Sequence, residues 1–338
     1  MSYTEHKFQC APKLQNTKAS GTRGFALTVK SSDDCFFGLK VEELDLANLC
    51  VVGFHWDISS QFRKGSREAP DIIRKITTAK LYDPFTEDGA DLTRIWQVYD
   101  YGNIRPANSV DEMRKKVYNV IRDLYNDELR FLFLGGDHLV TYFVLHALTK
   151  LSKRSWALIY LDAHLDLEEA YEGDRYSHGS VVRRLVEETN LRPQSTVEVG
   201  VRSFHPSERK FAESVGIKTV STVEFERLGA TGASKRVLEL LPRDVERVYV
   251  SIDLDILDPA YAPGLGYPEP AGISTRGLID FLFGLKELEI AAFDVVELCP
   301  QYDSAGITTI GAGKVILETL GIMRPGSKRD APSSQVPK

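Results

Sequence analysis

Three short segments place acids or histidine directly after an apolar run: Phe131–His138 (FLFLGGDH), Ile159–Asp166 (IYLDAHLD) and Val248–Asp258 (VYVSIDLDILD). In extended backbone, residues two apart point to the same side. Asp162, His164 and Asp166 therefore share one side, as do Asp253 and Asp255. Four carboxylates converging without cations repel and raise one another's pKa values. Divalent metals remove that penalty, and one carboxylate can bridge two of them. His138 and His164 add imidazole donors, which suit Mn, Fe, Co, Ni or Zn better than Mg or Ca. A lone Asp-x-Asp after a strand is usually a turn or helix cap, and a lone His is usually a satisfied core residue. Three such segments, each closing an apolar run, are hard to explain structurally and point to a metal centre.

The elements that must position these groups are strands. Short apolar, β-branched runs are expected at Leu49–Phe54, Ile95–Tyr99, Arg130–Leu134, Trp156–Leu161, Thr196–Val199, Ile217–Val220, Arg247–Ile252 and Ile290–Val296. Between several of them, apolar residues recur at helical spacing, as at Asp111–Tyr125, Thr141–Leu151 and Ser234–Leu241. Continuous apolar strands separated by helices predict an α/β protein whose parallel sheet is covered on both faces. In such sheets ligands bind beyond the carboxyl ends of the strands, where the three segments stand.

The domain is expected over residues 45–323, preceded by a polar arm (1–44) and followed by a flexible Pro- and Ser-rich tail (324–338). The arm's first 32 residues hold five basic groups and one acid, but Pro12 and the lack of an amphipathic stripe argue against a transit peptide. A net charge of −6 argues against nucleic acid as a partner. No apolar run reaches the roughly 18 residues of a membrane span. Cys10, Cys35, Cys50 and Cys299 are scattered, as in a reduced cytoplasmic protein.

With those residues in place, a family resemblance is plain. GGDH (135–138), DAHLD (162–166) and SIDLDILDPAYAPG (251–264) resemble the three metal-binding signatures of the ureohydrolases, the arginase and agmatinase family. GFHWDISSQFRKGSREAPDIIR (53–74) resembles the family's entry motif, and FDVVELCPQYD (293–303) its last strand and loop. The match runs over roughly residues 45–322.

The resemblance implies a three-layer α/β/α fold with a central, mostly parallel eight-stranded sheet. It implies two divalent metals, Mn2+ first and Ni2+ or Co2+ as alternatives. His138, Asp162, Asp166 and Asp253 would hold one, and Asp162, His164, Asp253 and Asp255 the other. A hydroxide between the metals would attack the guanidinium carbon of a linear substrate and release urea. His178 (YSHGS) matches the family's proton shuttle, Glu297 the carboxylate that receives the guanidinium, and Asp166 a partner of the hydroxide. A homo-oligomer, trimer or hexamer, is implied as well.

The segment LEEAYEGDRYSHGS lacks the Asn- and Ser/Thr-rich loop with which arginases grip an amino acid, so the expected subgroup is agmatinase-like. Glu168, Glu169, Glu172 and Asp174 would suit the ammonium of agmatine. Arg175 and Arg202 would instead suit the carboxylate of 4-guanidinobutyrate or 3-guanidinopropionate. His55, Trp56 and Tyr267 depart from the family's usual residues and are expected to narrow the pocket mouth. Arginase activity, a single-zinc deacetylase on the same fold, and a non-catalytic metal-binding regulatory subunit are the rival readings.

Overall fold

The structure, a computed structural model, describes residues 36–78 and 81–326. Most of the expected arm and tail, with Cys10 and Cys35, lie outside the described residues. Apolar runs form the strands: β1 (Lys40–Val41), β2 (Leu49–Phe54), β3 (Val98–Ile104), β4 (Arg130–Leu134), β5 (Trp156–Leu161), β6 (Thr196–Val201), β7 (Lys218–Ser221), β8 (Arg247–Asp253) and β9 (Ile290–Val296). They make one sheet in the order β1-β3-β2-β4-β9-β8-β5-β6-β7, and every pairing is parallel. The sheet has nine strands rather than the expected eight. The added one is the two-residue β1, too short to show a pattern, which pairs with β3 at the edge. The strand expected at Ile95–Tyr99 starts only at Val98 and runs through the polar stretch Tyr99–Asn103 to Ile104. Its ladder with β2 holds that polar stretch in place, which side-chain hydrophobicity alone does not reveal.

Helices cover both faces: α1 (Ala69–Ile76), α2 (Val110–Leu124), α3 (Leu139–Leu151), α4 (Val181–Glu188), α5 (Pro206–Val215), α6 (Thr222–Leu240), α7 (Thr275–Phe283) and α8 (Ile307–Ile322). Helix α2 begins where Ser109 caps the backbone N–H of Glu112, and its buried stripe is Met113, Val117, Ile121 and Leu124. Helix α3 is buried from Leu139 through Thr149, so its sequence reads as apolar all round. Each such buried Leu, Val or Phe contributes about 1.5–3 kcal/mol against exposure. Two apolar clusters result. One joins α1 and α6–α8 to the sheet, and the other joins α2–α4 to it. Phe36 and Phe37, at the start of the described chain, are buried in the first cluster.

Register decides where the chemistry converges. Strands β4, β9, β8 and β5 are consecutive neighbours, and Leu134, Val295, Ile252 and Leu161 lie in one row across them. The residues that follow this row are Gly135, Val296, Asp253 and Asp162. Segments far apart in sequence thus emerge at one level along the same sheet edge. Gly136 is required there, since a Cβ would lie 1.6 Å from the Trp56 carbonyl oxygen.

Candidate metal centre

Asp162 leaves the end of β5 fully buried, and its two oxygens face different imidazoles. Oδ2 lies 2.9 Å from His138 Nδ1, and Oδ1 lies 3.3 Å from His164 Nδ1. Asp253 Oδ2 is 3.1 Å and Asp166 Oδ2 3.6 Å from His138 Nδ1. Asp255 Oδ2 is 2.9 Å from His164 Nδ1. Two donor groups with metal-ligand spacing result, His138–Asp162–Asp166 and Asp162–His164–Asp255, with Asp162 common to both. Backbone amides fix the carboxylates: His164 N–H donates to Asp162 Oδ1, Ala163 N–H to Asp255 Oδ1 and Asp255 N–H to Asp253 Oδ1.

The electrostatics show what this cluster needs. Burial, and then the Asp162 charge, push Asp166 up to about 8. Burial and Asp255 raise Asp253, and burial and Asp162 raise Asp255. Burial also opposes charge on Asp162, yet hydrogen bonds to His138 and His164 hold its carboxyl below the usual range. Four carboxylates stay this close only with positive charge among them. Here the imidazoles carry it: burial opposes their protonation, but the surrounding acids raise both well above the usual histidine value. A donor set of carboxylates and imidazoles sharing one Asp therefore fits two divalent cations in place of those protons.

Three buried groups hold the donors from behind. His138 Nε2 lies 2.8 Å from Ser251 Oγ, which donates to Asp294 Oδ1. Asp294 also accepts from Tyr249 and Thr141. This chain keeps the Nε2 proton directed at Ser251 and leaves Nδ1 turned toward the cluster. Tyr160 stacks on the His138 ring at 4.3 Å and donates to Asp166 Oδ2 at 2.6 Å. None of these was singled out in the sequence, although a lone Asp within AAFDVV and a Tyr within IYL were visible signals.

Glu297 follows β9 and is 3% exposed. Its Oε1 accepts the His138 backbone N–H at 2.9 Å and lies 3.0 Å from His178 Nδ1, while Oε2 is buried without a partner. Glu297 and Asp166 both have left-handed φ, +63° and +51°, which costs about 1–3 kcal/mol where a Cβ is present. His178 opens a short turn capped by Ser177. Burial alone would lower its pKa, but the hydrogen bond and charge of Glu297 outweigh that and raise it to about 9.

A cavity of about 410 Å³ opens over the cluster. Beyond this cluster of four aspartates and two histidines, its wall includes His178, Glu297, Glu168, Tyr171, Phe204, His205, Glu208, Tyr267 and Glu269. Tyr267 reaches the mouth as expected, with its hydroxyl 3.1 Å from that of Tyr171 and its ring 5.4 Å from His178. His55 and Trp56 do not. His55 bonds Asp71 and Asn103, and Trp56 is buried against Phe143. Arg175 is half exposed beside Glu187 at 3.4 Å and is not part of the wall. Arg202 is spent on the carbonyl oxygens of Asp255, Glu269 and Pro270. Glu169, Glu172 and Asp174 also lie off the wall. Phe204, His205 and Glu269 line it without having been anticipated.

Comparison with known proteins agrees with this geometry. The family model described as the arginase family matches residues 47–321. The chain is 32% identical over 289 residues to a guanidinopropionase of Pseudomonas aeruginosa, covering 83% of this chain and 88% of that protein. It is 30% identical over 279 residues to an agmatinase of Bacillus cereus, covering 81% and 91%. The solved proclavaminate amidino hydrolase of Streptomyces clavuligerus superimposes with a TM-score of 0.76 at 30% identity, covering 86% of this chain and 96% of that one. Fold, donor arrangement and these matches agree in one conclusion: the chain belongs to the arginase family, as a hydrolase of guanidino C–N bonds.

Proposed function

We propose that this protein hydrolyses a linear guanidino amine of the agmatine type to urea and an amine. The observation that carries the reading is the character of the cavity wall. Among the described residues no lysine or arginine lines it, whereas Glu168 and Glu269 do, half-buried and without a cationic partner. A far-end ammonium meets two carboxylates there, whereas a far-end carboxylate finds no lysine or arginine on the wall among the described residues. Tyr171, Tyr267 and Phe204 offer apolar faces to the linker between.

His138, Asp162, Asp166 and Asp253 would hold one cation, and Asp162, His164, Asp253 and Asp255 the other, with Mn2+ the ion we assign. When bound, such a pair supplies Lewis acidity and makes water a nucleophile near neutral pH. The protein's own groups do the rest. Glu297 Oε2, buried and unpartnered, receives the planar guanidinium and orients its carbon toward the cluster. His178, held protonated by Glu297, gives its proton to the departing amine. Tyr160 holds Asp166, and the Ser251–Asp294 pair holds His138. Among the described residues no helix is long and apolar enough to cross a membrane. We assign the enzyme to the cytoplasm and to a homo-oligomer, in keeping with exposed Phe62 and Tyr302, which flank the Arg63 guanidinium.

The test is urea release from agmatine, 4-guanidinobutyrate, 3-guanidinopropionate and arginine by the Mn-loaded enzyme, alone and with Glu168→Gln or Glu269→Gln. The parent should prefer agmatine, and each substitution should raise its KM by about two- to fivefold, the worth of a partly exposed ion pair. Faster turnover of a guanidino acid by the parent enzyme would overturn the amine reading.

A further inference from the structure

A second cavity of about 410 Å³ lies between α2 and α3, lined by Arg114, Lys115, Tyr118, Asn119, His146 and Lys150. Among the described residues no acid lines it. Lys115 and Lys150 are exposed and have no carboxylate partner among the described residues. His146 is 8% exposed, and its Nε2 lies 2.7 Å from Lys150 Nζ. An ammonium can only donate, so Nε2 accepts and the imidazole proton sits on Nδ1. Nδ1 is buried and has no hydrogen-bond partner. Nδ1 is sealed from the groove, and the Nε2 edge is the one that meets Lys150. Burial, and then the charges of Lys150 and Arg114, lower His146 to about 4, so the ring is neutral at neutral pH and Nε2 stays an acceptor for Lys150.

We propose that this groove binds a small phosphate-bearing anion. Arg114, Lys115 and Lys150 supply charge from both helices, and His146 steadies Lys150 by accepting from its ammonium. A phosphate dianion with three terminal oxygens can meet all three cations at once, which a single carboxylate does less well. The cavity exceeds the phosphate itself, and Tyr118 walls the space left for an organic remainder.

The site is wired to the catalytic loop. The Arg114 guanidinium pairs with Asp111 at 2.5 Å on its outer side, and bonds the Tyr142 hydroxyl at 2.9 Å and Glu188 at 3.4 Å. Glu188 in turn accepts from Tyr142 at 2.6 Å and from Tyr176 at 3.0 Å. Tyr176 stands two residues before His178. An anion that draws Arg114 toward itself takes charge away from Glu188 and loosens the anchor of the His178 loop. Occupancy of the groove thereby tunes turnover at the metal centre.

Calorimetric titration of the metal-loaded enzyme with inorganic phosphate and with glycerol phosphate, at constant ionic strength, tests binding without any substrate, and a urea-release assay then reads the effect on turnover. One phosphate per chain should bind in the parent, and Lys115→Met/Lys150→Met should weaken it by at least about tenfold, as loss of charge-assisted contacts requires. His146→Phe, which keeps both lysines but removes the acceptor that steadies Lys150, should weaken it as well. Phosphate should change kcat in the parent and not in the double variant. Phosphate binding unaffected by the double variant would place the anion elsewhere and overturn the proposal. Equal binding of acetate, or no binding in the parent, would overturn it too.

Discussion

Replacing Glu297 by Gln separates charge from shape at the centre of the site. The Gln side chain can keep accepting the His138 N–H through its carbonyl oxygen, so the strand end should hold its position. What goes is the negative charge that faces the guanidinium and supports His178. A hydrogen bond to a charged group is worth about 1.5–3 kcal/mol, which corresponds to roughly 10- to 150-fold in kcat/KM. A second consequence concerns pH. In the parent, His178 is raised from its ordinary value of 6.5 to about 9, because the Glu297 hydrogen bond and charge outweigh burial. A raised pKa keeps the acid form present below about 9 and loses it as pH rises through that value. The parent's rate should therefore fall on the alkaline side near pH 9, and the variant's limb should move toward lower pH. The assay is urea release from agmatine across roughly pH 6–10, with metal content and melting temperature measured on both proteins. A variant within about twofold of the parent, with an unmoved alkaline limb, would refute the roles given to Glu297 and His178.

His178→Asn should retain metal but lose about 10²–10⁴-fold in kcat with KM little changed, and near-parental turnover would remove it from proton transfer. Arg175→Ala should leave turnover of agmatine and guanidinobutyrate alike, because the side chain pairs with Glu187 outside the cavity; collapse on the acid alone would return Arg175 to the substrate's far end. Gly136→Ala should lower the melting temperature by many degrees, since the new methyl meets the Trp56 carbonyl at 1.6 Å. An unchanged melt would show that the β4 end is not packed as described.

The parallel sheet was legible because its central strands are buried on both faces and so are continuously apolar; β5 and β9 end where the sequence places them. The edge was not. β1 is too short to carry a pattern, and β3 is polar along most of its length and is held by ladder bonds. The donor atoms were legible because two-residue spacing turns Asp162, His164 and Asp166 to one side at a strand end, where uncompensated carboxylates would repel. The mouth was harder. The signs of the charges in LEEAYEGDRYSHGS and on Arg202 do not say which face the pocket, and of these acids and arginines Glu168 alone does. Trp56 looked like a mouth residue by its bulk, yet it fills the core against Phe143. The supports behind His138 and Asp166 lie inside strands, where a polar residue reads as an interruption rather than a function.

The central claim is that the two donor groups sharing Asp162, five residues at neighbouring strand ends, hold two divalent cations with Asp253 beside them as the sixth ligand. Elemental analysis of the Mn-loaded, desalted enzyme tests it most directly, alongside the Asp162→Asn variant. The account predicts two metal ions per chain in the parent and one or fewer in the variant. A single tightly held zinc in the parent, or two ions retained by the variant, would contradict it.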